Sequence, residues 1–454
     1  MSTTPEPQTG SLVVGDPEQR RRTLAASVSG TVIEWYDFTL YGLAAALVFG
    51  PLYFPDAGAL GGVLASLATF AVGLGARPIG GLIFAHYGDR IGRKPTMFLV
   101  LMVMGVSTTL IGLLPTAETI GIWAAVILVV LRLLQGAGAG AEFAGAITMV
   151  TEVTGNRGRA YAASLPGAAI YVGTGGATLV FTLVTLMPEE AFLAWGWRIP
   201  FLASAAMVLV AAYLRWRVEE TPAFRKLEQN DSVQSAPVLE VLRNNRRSVL
   251  LGMGVFVLII PWAYAMQVFV LSYVTNTLEV PKGTALTGLI IAEFLAIPVI
   301  LACGRLADRV GRRPVMLFGA AFCLLFAMPM FWMLESGSGV LIAVAMTLGI
   351  CVSQGCTSGP AGAMLADLFP ARSRWSGIAL SREIPAAVVG GTAPLVATAL
   401  VAWGGGSPVG VAVYLMVLSL VGLVAIVALP ETLERTTRPA PTAAADASVP
   451  SRRS

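Results

Sequence analysis

The sequence predicts an all-α membrane protein of twelve transmembrane helices arranged as two six-helix bundles. Three observations carry that prediction. Composition is the first: 56% of the 454 residues are hydrophobic and 12% are charged, about half the roughly 25% charged content of a water-soluble domain. Run length is the second. Crossing a hydrocarbon core of about 30 Å takes about 20 apolar residues, and segments 96–115, 248–277 and 409–429 reach that length without a charge. The third is that basic residues and sequence motifs recur in the same places in the two halves.

The elements follow in order. Residues 1–23 are polar, with Pro5, Pro7, Pro17 and the triplet Arg20-Arg21-Arg22; they read as a cytoplasmic tail. No short apolar core with a cleavage site precedes the first span, so that span is expected to be retained. Apolar runs then place six spans near 24–49, 60–85, 96–115, 119–147, 161–187 and 197–215, an N-terminal bundle over 24–215. A polar central loop covers 216–247. Six further spans, near 248–277, 284–303, 315–335, 339–363, 376–403 and 409–429, make a C-terminal bundle over 248–430. Residues 431–454 are short, rich in Ala, Pro and Ser and without heptads, and read as a disordered cytoplasmic tail.

The distribution of basic residues tests this layout independently of hydropathy. With a cytoplasmic N-terminus, 25 of the 30 Lys and Arg fall in inside segments. The opposite face receives only Arg198 and Lys282, while Arg77, Arg132 and Arg382 fall within spans. That bias places both termini in the cytoplasm of a cell (inner or plasma) membrane. It also argues against nucleic-acid binding, since the charge marks loops and not one basic face. The four cysteines, Cys303, Cys323, Cys351 and Cys356, lack metal-ligand spacing and read as small apolar packing residues; no metal or cofactor is expected.

The halves are related. Gly88-Asp89-Arg90-Ile91-Gly92-Arg93-Lys94-Pro95 returns as Ala307-Asp308-Arg309-Val310-Gly311-Arg312-Arg313-Pro314, an offset of 219. The same offset pairs Gln135 with Gln354, Gly136 with Gly355, Gly140 with Gly359, Gly158 with Gly377 and Pro166 with Pro385. A parallel repeat of six helices sets a pseudo-two-fold axis along the membrane normal, with a solute site between the halves.

The loop Gly88-x-x-Arg-x-Gly-Arg-Lys resembles that of the major facilitator superfamily, and within it the chain is similar to the metabolite:proton symporter family. Four segments carry the finer resemblance: Gly30-x-x-x-Glu34-Trp35-Tyr36-Asp37-Phe38; Arg77-Pro78-Ile79-Gly80-Gly81; Arg132-Leu133-Leu134-Gln135-Gly136 with Gly140 and Glu142; and Trp195-Gly196-Trp197-Arg198-Ile199-Pro200-Phe201. Glu219-Glu220-Thr221-Pro222 fits too. The chain departs from the family where Gly140-Ala141-Glu142 replaces Gly-Gly-Glu and where Ser381-Arg382-Glu383-Ile384-Pro385 is charged. The resemblance, which runs from about residue 25 to 430, implies a transporter of the major facilitator fold whose first and fourth helices border a central cavity. Its substrates would be a small molecule and protons, with the bilayer as surroundings and no obligate protein partner.

Charges within spans cost at least about 2.5–3.5 kcal/mol each on insertion scales and persist only with a partner or a task. At about 100° per residue, Gly30, Glu34, Asp37 and Tyr41 share one stripe of the first helix, and Arg132, Gln135 and Glu142 one face of the fourth. Such polar stripes must face protein or water. Asp37 or Glu34 is the expected proton carrier, with Arg132 as electrostatic partner and Glu142 on the same face; a static Glu34–Arg132 pair holding the N-terminal half together is the alternative. Arg77 binds either a substrate carboxylate or carbonyls freed by Pro78. In the seventh helix Trp262, Tyr264, Gln267 and Tyr273 either line the pocket or pack as aromatics. Glu293, Arg382 and Glu383 either set specificity or form local salt bridges. The sole histidine, His86, is expected in a loop, so coupling must use carboxylates. Asp89, Arg90, Arg93 and Lys94, with Asp308, Arg309 and Arg312 in the second copy, read as a cytoplasmic gate in which Asp89 meets a helix N-terminus.

No Walker A motif and no nucleophile–base–orienter set occurs, which argues against ATP-driven transport and an enzyme. The 216–247 segment is too short for a receptor's output domain. The leading expectation is import of an organic acid by proton symport, because guanidinium pairs bidentately with carboxylate. Import of a zwitterionic osmolyte such as betaine or proline is the alternative, as is proton-driven efflux. Against efflux, the fifth helix carries Gly173-Thr174-Gly175-Gly176 with no Gly-Pro pair.

Overall fold

The computed structural model describes residues 17–155, 158–230 and 236–433. Of the tails predicted for 1–23 and 431–454, residues 1–16 and 434–454 lie outside them, as does Arg157, while 17–23 are not a tail but the first turns of the opening helix. All regular structure among the described residues is helical. Twelve long elements account for the bundles: α1 (Pro17–Leu47), α2 (Gly58–Ile91), α3 (Arg93–Leu113), α4 (Trp123–Val153), α5 (Arg159–Val184), α6 (Arg198–Trp216), α7 (Arg246–Tyr264), α8 (Lys282–Val310), α9 (Arg312–Leu334), α10 (Gly339–Leu368), α11 (Arg374–Pro385) and α12 (Val409–Ala428). Wider, π-type turns at Ala265–Val270 and Tyr273–Thr277 extend α7; one at Ala386–Gly390, followed by helix Ala393–Trp403, extends α11. Among the described residues, eleven helical stretches are long and apolar enough to cross a membrane. The exception is α1, whose Glu34 and Asp37 lower its hydropathy and are buried against protein, as polar groups at membrane depth must be.

The halves repeat one packing plan. In the first, α1 packs on α5, α2 on α4, and α3 on α4 and α6; in the second, α7 packs on α11, α8 on α10, and α9 on α10 and α12. The halves meet where α2 packs on α11 and where α5 packs on α8 and α10. Small residues permit the closest of these contacts: a side chain at Gly136 would lie 2.1 Å from the Gly73 carbonyl oxygen and one at Gly140 2.0 Å from that of Arg77.

Three readings of the sequence need correction. The helices outrun their apolar windows at the basic end, because helical hydrogen bonding continues into water once the chain leaves the apolar layer. The expected 86–95 loop is therefore mostly helix, with His86, Asp89 and Arg90 on α2 and Arg93 and Lys94 opening α3. Gly92 (φ 118°) turns the chain between them, as Gly311 (φ 115°) does between α8 and α9, a backbone region that glycine enters without penalty. Second, the tail expected from 431 begins in ordered contact: Glu431 accepts from the backbone N–H of Arg312 (3.1 Å) and Arg313 (3.0 Å).

Third, the repeat changes register. The offset of 219 holds for α2 against α8 and for the starts of α3 and α9. Beyond them α4 ends at Val153 and α10 at Leu368, and α5 starts at Arg159 and α11 at Arg374, an offset of 215. The connection 114–122 is longer than its counterpart 335–338, which absorbs the slip. The matches from Gln135–Gln354 to Pro166–Pro385 are thus recurrences in Gly-rich helices and not equivalent positions.

Candidate functional site

Two sets of buried charge lie between the halves: a network at the basic end, where the sequence suggests a gate, and a cluster at mid-depth. At the gate, Asp89 accepts from the backbone N–H of Ser376 (2.9 Å) and Trp375 (3.4 Å) at the N-terminus of α11. Asp308 does the same for Ala160 and Tyr161 (2.9 Å each) at the start of α5. Each carboxylate reaches across to the other half, where free N–H groups and the helix dipole favour negative charge. The expected docking of Asp89 on a helix N-terminus is what the chain does, twice.

The register slip hid the rest of this network. Glu152 meets Arg93 of its own half (3.2 Å) and Arg374 of the other (3.1 Å). Asp367, its counterpart at offset 215, pairs with Arg312 of its own half and with Arg159 of the other (3.2 Å). Arg93 also pairs with Asp89 (3.3 Å) and donates to the Ala371 carbonyl oxygen (2.5 Å). Aligning the halves with a four-residue step after α3 would have matched Glu152 to Asp367 and Arg159 to Arg374. Glu220 and Glu431 complete the symmetry: the first accepts from the N–H of Lys94 (3.1 Å), and the second caps α9 as described. Of the predicted gate residues, Asp89, Arg93, Asp308 and Arg312 take part through their side chains and Lys94 through its backbone, while Arg90 and Arg309 are exposed. Asp89→Asn should weaken the closed gate by about 1–3 kcal/mol, the cost of removing a charged acceptor from buried donors. Thiol alkylation of a cysteine placed at Ala141, reached from the basic end, should rise accordingly.

At mid-depth, Arg77 of α2 donates from Nη2 to Glu34 Oε1 of α1 (2.7 Å) and from Nε to Glu383 Oε2 of α11 (3.2 Å). Arg382 pairs with the other oxygen of Glu383 and stacks over Phe143 (4.2 Å). These four side chains are buried and form a neutral quartet that joins the halves through Arg77 and Glu383. The expected Glu34–Arg132 pair is therefore absent, because Arg77 and not Arg132 faces Glu34.

Arg132 stands apart. It is 1% exposed and, among the described residues, lies in no ion pair. Its guanidinium sits over Tyr41 (4.0 Å), Phe70 (4.9 Å) and Phe38 (5.3 Å), and Nη1 donates to Gln135 Oε1 (2.5 Å). Nε and Nη2 have no partner among the described residues; together they form the side-on edge that grips a carboxylate with two parallel hydrogen bonds. Gln135 donates to Thr108 Oγ1 (2.7 Å), which donates to Asp37 Oδ2 (2.7 Å). Ser204 donates to Asp37 Oδ1 (2.6 Å). Arg132 and Asp37 thus communicate through two side chains without touching. Glu34, Asp37, Arg77, Arg132, Gln135 and Gly73 line one narrow cleft.

The other predicted residues are not gathered there. Glu142 pairs with Arg215 of α6, not with Arg132. Trp262 donates to Ser419 Oγ of α12 (2.8 Å), and the hydroxyl of Tyr273 meets Glu335 at the far end of α9 (3.1 Å); both pack within the C-terminal half. Gln267 is half-buried on the π-type turn of α7. Tyr264, one turn earlier, does lie within electrostatic reach of Arg77, Arg382 and Glu34. Glu293 is buried on α8 and is not among the residues that line this cleft.

Comparison with known proteins agrees with this architecture. The family model described as Major Facilitator Superfamily matches residues 27–382. The chain is 36% identical to the inner membrane metabolite transport protein YhjE of Escherichia coli K12, over 83% of this chain and 87% of that protein. It is 36% identical to the shikimate transporter of the same organism (92% and 94%) and 34% identical to its proline/betaine transporter (96% and 88%). The fold is shared with the proton:xylose symporter XylE bound to 6-bromo-6-deoxy-D-glucose, with a TM-score of 0.73 at 17% identity over 92% of this chain and 97% of that one. With its duplicated charged network, its buried mid-depth ion cluster and relatives matched over nearly their whole length, the chain belongs to the major facilitator superfamily, as a membrane-embedded transporter of the metabolite:proton symporter type.

Proposed function

We propose that this transporter imports a small carboxylate together with a proton, its basic end facing the cytoplasm of the cell's inner membrane. The observation that carries the reading is Arg132, a buried cation that, among the described residues, forms no ion pair and has an unbound Nε/Nη2 edge. Leaving a guanidinium desolvated and unpaired is costly, so the missing partner is assigned to the solute. Shikimate, proline and betaine, named for two of the relatives, share one group that fits this edge, a carboxylate.

Asp37 is the proposed proton carrier. Two hydroxyl donors orient it, and Gln135 and Thr108 link it to Arg132, so solute on Arg132 alters the field at Asp37 without displacing it. Glu34 is the weaker candidate because Arg77 already neutralises it. The halves are fastened at mid-depth and at the basic end, a state closed to the cytoplasm in the proposed orientation. The osmolyte reading is kept within the same chemistry, since those solutes also bear a carboxylate.

The test is radiolabelled uptake into proteoliposomes under an inward proton gradient, screening organic acids beside betaine and proline. Accumulation of a carboxylate that a protonophore collapses is the expected result; export of preloaded solute against its gradient would instead establish efflux. Asp37→Asn should abolish accumulation while leaving solute counterflow within about threefold of wild type, because binding is intact and only the coupled charge is gone. Retained accumulation would move the proton to Glu34 or elsewhere.

A further inference from the structure

On α8 a carboxylate is left without a partner. Glu293 is 6% exposed, and among the described residues no charged side chain lies within electrostatic reach of it. The Tyr171 phenol on α5 lies within electrostatic reach of Glu293 and of the Cys351 thiol on α10. Cys351 is engaged with the Ala292 carbonyl oxygen (3.5 Å). Tyr171 is 3% exposed and, like Glu293, makes no hydrogen bond among the described residues. The two lie within electrostatic reach of each other where the halves meet, since α5 belongs to the first bundle and packs on α8 of the second.

Their depth is informative. A side chain at Gly173 of α5 would lie 3.0 Å from Trp35 Cβ and from the Tyr36 nitrogen, and one at Gly175 3.7 Å from Phe294. Glu293 is thus level with Asp37 of α1, and so with the Arg132 guanidinium, which lies over Phe38. The two halves therefore present, at one level, a cationic edge without an anion and an anionic acceptor without a donor.

We infer that Glu293, with the Tyr171 hydroxyl beside it, is a second recognition point for the solute and accepts a hydrogen bond from a donor that the solute carries. This rests on the carboxylate reading above and narrows it: the solute bears a hydroxyl or ammonium group as well as the carboxylate held by Arg132. An acceptor left without a donor once a bound solute shields it from water costs about 1–3 kcal/mol, more when charged. A site built around such an acceptor rejects analogues lacking the donor, because they leave it unsatisfied. The placement also couples recognition to movement, because a solute spanning Arg132 and Glu293 draws the two bundles together.

The experiment compares radiolabelled uptake of matched pairs by the reconstituted full-length protein under a proton gradient: lactate against propionate, malate against succinate, and alanine against propionate. Wild type should prefer the donor-bearing member of at least one pair by about tenfold or more. Glu293→Ala should bring that ratio near one while uptake of the plain acid persists, and Tyr171→Phe should lower it. If wild type transports carboxylates without discriminating within any pair, the inference is wrong and the carboxylate reading stands. The same follows if Glu293→Ala keeps the preference. If no carboxylate in the panel enters at all, the carboxylate reading fails and this inference with it. The wild-type comparison and Tyr171→Phe decide the matter even where Glu293→Ala does not fold.

Discussion

Arg77→Ala is expected to be the most damaging single substitution in the chain, costing about 3–5 kcal/mol of stability, the usual result of removing one partner from a buried ion pair. Arg77 neutralises Glu34 at 2.7 Å and Glu383 at 3.2 Å. Without it, two buried carboxylates face a single guanidinium, that of Arg382. The melting temperature of the purified protein in detergent should fall by several degrees, and solute uptake should be lost. The double substitution Arg77→Met with Glu34→Gln restores neutrality, leaving the Arg382–Glu383 pair intact, and should recover most of the melting temperature. Transport should not return, since the link from α2 to α11 across the halves is still missing. A double variant as unstable as Arg77→Ala alone would mean that packing around Pro78, and not charge balance, sets the loss.

Arg132 should behave in the opposite way. Because no carboxylate among the described residues forms an ion pair with it and Asp37 acts on it only at a distance, Arg132→Met is expected to raise the melting temperature while uptake falls by about a hundredfold or more, the scale of losing a charged bidentate contact of about 3 kcal/mol. Arg132→Lys tests the geometry: it keeps the charge but lacks the planar edge, and it should lose most of the affinity. Saturating solute should raise the melting temperature of wild type more than that of either variant, since ligand stabilises only the state that binds it. A drop in stability for Arg132→Met would assign the residue a structural role through its cation–π contacts with Tyr41, Phe38 and Phe70, worth about 0.5–2 kcal/mol each.

Part of this site was legible in the sequence. Glu34, Asp37, Arg77, Arg132 and Gln135 stood out because charge and amide groups are rare in helices of Ala, Val, Leu and Gly, and they do converge on one cleft. Asp89 was placed at a helix N-terminus from its motif, and α11 supplies that terminus. The failures share a cause. Glu34 was matched with Arg132 and Glu142 was put beside them, whereas Glu34 binds Arg77 and Glu142 binds Arg215 of a different helix. Trp262 and Tyr273 were candidates by residue type alone, and their partners Ser419 and Glu335 lie far away in sequence. Glu152, Asp367, Arg159 and Arg374 were missed because a constant offset was carried past a connection whose length differs between the halves.

By itself the sequence determined that the chain is a membrane protein, how many helices it has, that it is duplicated, and at which end of the helices the basic residues gather. These properties depend on each segment's own transfer from water to lipid and on charges counted locally along the chain. Only the tertiary structure decided which buried charges neutralise one another, which guanidinium edge and which carboxylate stay unpaired, and where the repeat slips by four residues. Ion pairing is short-ranged and requires groups within about 4 Å. It is therefore settled by which helices become neighbours and by how each is rotated, and neither is a property of any one segment.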